Sequence, residues 1–245
     1  MINEVRNTVM FVLNKDNNGY VTPEAFNSYA RQAQIEIFEQ TFFDYNNAMV
    51  RMNNRMSGSG YGDIPKHLKE TIDKFNVPNE VLFYHINHFE LPRAAAHVDH
   101  PGQTATNDWF HLTSINYNYV ADIEKIDENK IIALNNSNLT APTTDYPVYT
   151  QSGDTITVYP TTIVQDVICS YVRYPVDPKW TYTTLSAGEP VFDQGANDYQ
   201  DIELPKRYMP DMVIKILEYA GVSIREPEVT AAAKAEEIQR KQLEQ

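Results

Sequence analysis

The sequence predicts an α+β fold: a helical bundle framework from the N- and C-terminal segments, carrying a central antiparallel β-rich domain. Three observations predict it. Apolar residues recur at helical spacing from Ile2 to Met56 and again from Tyr208 to Ala220. Between them lie short runs rich in Val, Ile, Tyr, Phe and Thr, separated by Pro, Gly, Asn and Asp clusters. No internal repeat or long low-complexity tract breaks this order. The expected divisions are an N-terminal helical region at 1–78, a β-rich domain at 79–204, and C-terminal helices at 205–245 that return to the helical region.

Ile2, Val5, Val9 and Val12 predict a first helix over about residues 2–13, stopped by the polar run Asn14 to Gly19. Thr22-Pro23-Glu24 reads as a second start: a capping hydroxyl, a proline suited to the first helical position, and an acid at the positive end of the dipole. This helix should run to about Met56. Its second half carries Ile35, Phe38, Phe42, Tyr45, Met49, Met52 and Met56, an a/d seam over three heptads that packs on another helix, within the subunit or between subunits. Ser57 to Gly62 is a break, and Pro65 to Phe75 a short helix with Ile64, Leu68 and Ile72 on one side. Strands are expected within Val81–Phe89, Phe110–Val120, Lys130–Leu134, Thr155–Tyr159 and Val167–Tyr174, with Gly153-Asp154 as a tight turn before Thr155. Tyr208–Ala220 should form a helix ended by Gly221, and Val229–Gln245 a charged helix with few apolar anchors, which packs weakly unless a partner covers it.

A hydrophobic fraction of 42% against 22% charged residues is ordinary for a globular chain and excludes wholesale disorder. No apolar run approaches the roughly 20 residues of a membrane span, and no cleavable leader is expected at the N-terminus. A single cysteine, Cys169, excludes an internal disulfide and fits a reducing compartment of synthesis. The net charge is −13, and residues 101–200 hold 12 acids against 4 bases. A surface of that sign repels phosphates and disfavours nucleic-acid binding. It serves either solubility alone or a lining that DNA must slide past without sticking.

Candidate chemical sites are incomplete. Asn14, Asp16, Asn18 and Gly19 resemble the start of an EF-hand loop, but Ala25 stands where calcium needs a bidentate carboxylate, so an ordinary turn is expected. His85, His88, His97 and His100 raise the question of zinc. An odd separation along one strand would put His85 and His88 on opposite faces, and the second pair sits in a proline-flanked loop. No phosphate loop, nucleophile elbow or cysteine pair occurs, and Cys169 lies in an apolar strand. No catalytic residue, metal or cofactor is therefore expected. Sixteen tyrosines suit either protein–protein contact zones or ordinary β packing.

Three stretches carry a family resemblance. They are Asn18 to Asn27 continuing into Ala30 to Phe38, Ile156 to Pro160 with Tyr171 to Trp180, and Ile214 to Ile224 followed by a charged helix. Together they resemble virion proteins of tailed bacteriophages, especially the head-to-tail connector (ring, tail adaptor) subunits of short-tailed phages of the crAss-like group. The resemblance implies a non-enzymatic structural subunit in a closed ring, commonly of twelve copies, below the portal and around the DNA channel. It implies as partners further copies of itself, the portal, and other connector, tail or fibre-adaptor proteins. DNA would pass without specific binding, and assembly would occur in the host cytoplasm. A closed ring needs heterologous interfaces, for which the seam, the tyrosine-rich sheet and the C-terminal helix are the expected patches. The alternatives are another virion role, such as a tail-fibre adaptor or capsid-associated protein, and more distantly a metal-dependent hydrolase built on the histidines.

Overall fold

A computed structural model describes residues 1–15, 20–53, 64–93, 108–184, 188–224 and 235. The fold is mixed α+β. The chain forms two compact units, one from 1–71 with 175–245, the other from 72–174. Residues 175–204, grouped with the strands on composition, thus belong to the unit that holds the terminal helices.

In the first unit, helix α1 (Ile2–Lys15) buries Ile2, Val5, Val9 and Leu13. Leu13 takes the place expected for Val12, which stays 39% exposed because the buried stripe steps by four after Val5. Helix α2 (Pro23–Asn53) opens as its residues dictate: Thr22 Oγ1 accepts the Ala25 N–H at 3.3 Å. Its first half buries Phe26, Ala30, Ala33, Ile37 and Phe38. Helix α3 (Ile64–Asp73) follows. Helix α5 (Met209–Ile224) packs on both α1 and α2 and buries Met212, Ile216 and Ala220. It runs through Gly221, expected to end it. Gly221 is buried inside the helix, where close packing outweighs a propensity penalty of about 1 kcal/mol. Lys215 and Tyr219 both reach the Glu36 carboxylate and tie α5 to α2.

The segment 175–204 is held on these helices largely by polar side chains. Gln34, 1% exposed, donates from Nε2 to the Val176 carbonyl at 2.8 Å and accepts the Glu203 N–H at 3.0 Å. The Glu203 carboxylate closes the loop by accepting the Val176 N–H at 2.8 Å. Between these ends, Trp180 is 1% exposed. Asn27 pairs with both its backbone groups, accepting N–H at 2.8 Å and donating to C=O at 3.2 Å. Its indole N–H donates to Asn3 Oδ1 at 3.1 Å, and the Arg6 guanidinium sits 3.8 Å from the ring centroid. Tyr182 and Phe192, from the two-stranded pair β10 (Tyr182–Thr184) and β11 (Pro190–Phe192), stack on it at 5.6 and 5.8 Å. Asp201 caps α1 from outside the helix, accepting the Ile2 N–H at 2.7 Å.

In the second unit, a four-stranded antiparallel sheet has the order β1 (Asn76–Val81), β9 (Val167–Arg173), β4 (Trp109–Tyr117), β5 (Ala121–Asp122). A five-stranded sheet has the order β2 (Phe83–His85), β3 (His88–Glu90), β8 (Thr155–Tyr159), β7 (Val148–Ser152), β6 (Glu124–Lys125). The expected antiparallel pairing holds throughout except for β6 and β7, which are parallel. Side chains of both sheets share one core, including Phe89, Ile115, Ile156, Val158, Val167 and Cys169. Gly153 makes the β7–β8 turn at φ 60.

Two strand expectations are corrected. Lys130–Leu134 is part of a helix, α4 (Glu128–Asn135), in which Ile131 is buried while the adjacent Ile132 is 68% exposed. Asp127 stands at its N-cap position and pairs with Lys130 at 2.9 Å, and Glu128 lies in the first turn, so acids at the positive end of the dipole favour the helix over β propensity. Val81–Phe89 is three strands in two sheets, because the chain leaves the first sheet at Leu82 and turns back at Ile86-Asn87.

Trp180→Ala should cost about 3–5 kcal/mol of stability in urea unfolding, whereas Tyr182→Ala, at a ring already 39% exposed, should cost much less. Equal effects would show that Trp180 is not the anchor. Burial raises the Asp201 carboxyl, but the N–H groups of Ile2 and Ile202 and the amino group of Met1 outweigh it and leave its pKa lowered. A lowered pKa contributes stability that is present above the ordinary carboxylate range and lost as pH falls through and below it. Asp201→Asn should therefore be less stable at pH 7 and lose less stability on acidification, read as melting temperature against pH.

Candidate assembly interface

The features that suit assembly lie on α2, at about 1.5 Å per residue a rod of roughly 46 Å. Apolar side chains occur around its whole circumference, so a single intramolecular face cannot bury them all. Within its first half, Phe26, Ala30, Ala33, Gln34, Ile37, Phe38 and Thr41 are buried in the first unit. Beyond Thr41 no described side chain of α2 is fully buried. Phe42, Tyr45, Ala48 and Met49 are half-buried, while Phe43 and Val50 are 61% and 49% exposed.

Of the seam positions, Phe38 is buried, and Ile35, Phe42, Tyr45 and Met49 are half-buried. Phe38 and Phe42 meet edge to face at 5.0 Å. The Met52 side chain and Met56 lie outside the described residues. Phe43 and Val50, one position beyond Phe42 and Met49, escape a heptad reading because they fall between its apolar rows. Only their exposure marks them.

In the second unit, a turn with Asn118 and Tyr119 at φ 50 and 59 places Tyr119 where glycine is usual. Tyr119 and the following Val120 are 67% and 88% exposed, and Tyr146 is 81% exposed, whereas Tyr149 and Tyr171 are buried. The tyrosines therefore divide between surface and core.

The metal candidates are placed differently from expectation. His85 and His88 are direct cross-strand partners, with ring centroids 5.8 Å apart, not residues on opposite faces. A two-residue turn between them converts their separation of three into a facing pair. It holds Ile86 at φ 53, a costly conformation for a β-branched side chain, on the order of 1–3 kcal/mol. His88 Nε2 lies 3.9 Å from Glu90 Oε1. Among the described residues, no group of three or more His, Cys, Asp or Glu side chains is arranged to hold a metal ion. His97, His100, Asp16 and Asn18 lie outside them. Cys169 is buried, and burial first, then Glu80, pushes its thiol up to about 12, which removes thiolate reactivity at neutral pH. Among the described residues no helix is long and apolar enough to cross a membrane.

No protein-family model matches the sequence, and no curated protein matches it.

Proposed function

We propose that this chain is a non-enzymatic virion structural protein, the ring subunit of a phage head-to-tail connector around the DNA channel. The observation that carries the reading is the distal half of α2, where Phe43 and Val50 are exposed beside half-buried Phe42, Tyr45 and Met49. A soluble chain that leaves such a row uncovered gains by burying it against another copy, at about 25 cal/mol per Å² of apolar surface. The placement of both terminal segments in one compact unit suits a helical bundle framework that stacks in a ring. The net charge of −13 suits a channel that DNA traverses without binding. The resemblance of Asn18 to Asn27 with Ala30 to Phe38, of Ile156 to Pro160 with Tyr171 to Trp180, and of Ile214 to Ile224 to connector subunits supplies the virion context.

Replacing Phe43 and Val50 together with Asp tests this reading. Both side chains are exposed in the subunit, so circular dichroism and melting temperature should stay near wild type. Self-association should be lost, because each Asp would enter the interface as an unpaired charge. The variant should also be missing from purified virions. Normal assembly of the double variant would remove α2 as the interface, and absence of the wild-type chain from virions would remove the connector reading.

A further inference from the structure

The hairpin β2–β3 folds the chain back at Ile86-Asn87 and thereby sets two imidazoles side by side. His85 and His88 are direct register partners, so both project from one side of the hairpin, with ring centroids 5.8 Å apart. Two imidazoles bound to one ion through bonds of about 2.0–2.1 Å hold their centroids roughly 5–6 Å apart. The pair therefore has the spacing of a chelate. Both rings are half-buried, which holds them in place and leaves them open to solvent. By strand alternation Glu90 lies on the same side, two residues beyond His88, and its Oε1 is 3.9 Å from His88 Nε2. A carboxylate so close adds negative charge where a bound cation would sit. The turn between the rings holds exposed Ile86 at φ 53. A β-branched residue adopts that backbone only at a cost, and such strain gathers where a geometry serves binding.

We infer that His85 and His88 form a two-histidine site for a divalent transition ion of the zinc, nickel or copper class. Imidazole nitrogen favours these ions, whereas calcium and magnesium take oxygen ligands. Among the described residues no group of three or more His, Cys, Asp or Glu side chains surrounds an ion, so the protein supplies two ligands and water fills the other positions. Such a site is open, unlike the closed tetrahedral shell of a structural zinc. The facing of the rings is what admits it, because His85 and His88 on one uninterrupted strand would point to opposite sides. The site is independent of the ring reading, since both ligands belong to one hairpin of one chain.

Zinc chloride and nickel chloride, titrated calorimetrically into the full-length chain without a histidine tag, test it near neutral pH, where imidazole is largely unprotonated. Each ion should bind once per chain, and magnesium should give no heat. His85→Asn and His88→Asn should each weaken zinc at least about tenfold, since loss of a mere outer partner of a ligand already costs that much. A second reading needs no variant to fold. In the unmutated chain a fraction of an equivalent of paramagnetic nickel should broaden the amide signals of Ile86 and Asn87 before those of other residues. Absence of binding by both ions overturns the site. Zinc binding that both single variants retain, or that His97→Asn/His100→Asn alone removes, overturns it too, as does nickel broadening centred away from the hairpin.

Discussion

Trp180 is surrounded by groups that each satisfy a different part of it. Asn27 takes its backbone, Asn3 its indole N–H, Arg6 one ring face, and Tyr182 and Phe192 stack nearby. The arrangement also explains how Arg6 can be 8% exposed. Burial lowers the guanidinium's pKa while Tyr20 opposes that, and the indole ring supplies a cation–π contact where water would otherwise solvate the charge. Because Asn3 and Arg6 belong to α1 and Asn27 to α2, one residue, through its ring and its backbone, joins both helices to the segment 175–204. That segment in turn delivers Asp201 to the start of α1 and Glu203 to Gln34.

This anchoring decides what α2 has left to offer. Its first half is committed through Asn27 and Gln34 to the segment 175–204 and also packs on α5, and Phe26, Ala30, Ala33, Ile37 and Phe38 are consumed by that core. Its second half continues in the same apolar composition, with Phe43 and Val50 exposed. A helix whose first half buries its apolar residues in the subunit and whose second half leaves Phe43 and Val50 exposed fits a subunit whose folding and assembly use different parts of one rod.

The helices were legible because period and capping act locally. Ile2, Val5 and Val9, the Thr22-Pro23 start, and Met212 with Ile216 all lie on buried faces or at the expected start. Most strands were legible from Val, Ile and Tyr runs between turn residues. The misreadings share one physical cause, which is that partners decided what local pattern could not. Lys130–Leu134 has β-prone residues, yet Asp127 and Lys130 favour a helix. Ile86 is an improbable turn residue, so the facing of His85 and His88 was invisible in a strand-like run. The contacts of Trp180 and Gln34 are polar and join residues 142 to 177 positions apart, beyond the reach of any periodicity. Exposure of Phe43 and Val50 likewise depends on where the rest of the chain packs.

The central claim is that the chain completes its burial by joining copies of itself, and the mass of the purified protein tests it most directly. Native mass spectrometry or sedimentation at micromolar concentration should give one dominant species at a fixed multiple of the 28.1 kDa subunit, the closed ring. A 28.1 kDa monomer at every concentration would contradict the account.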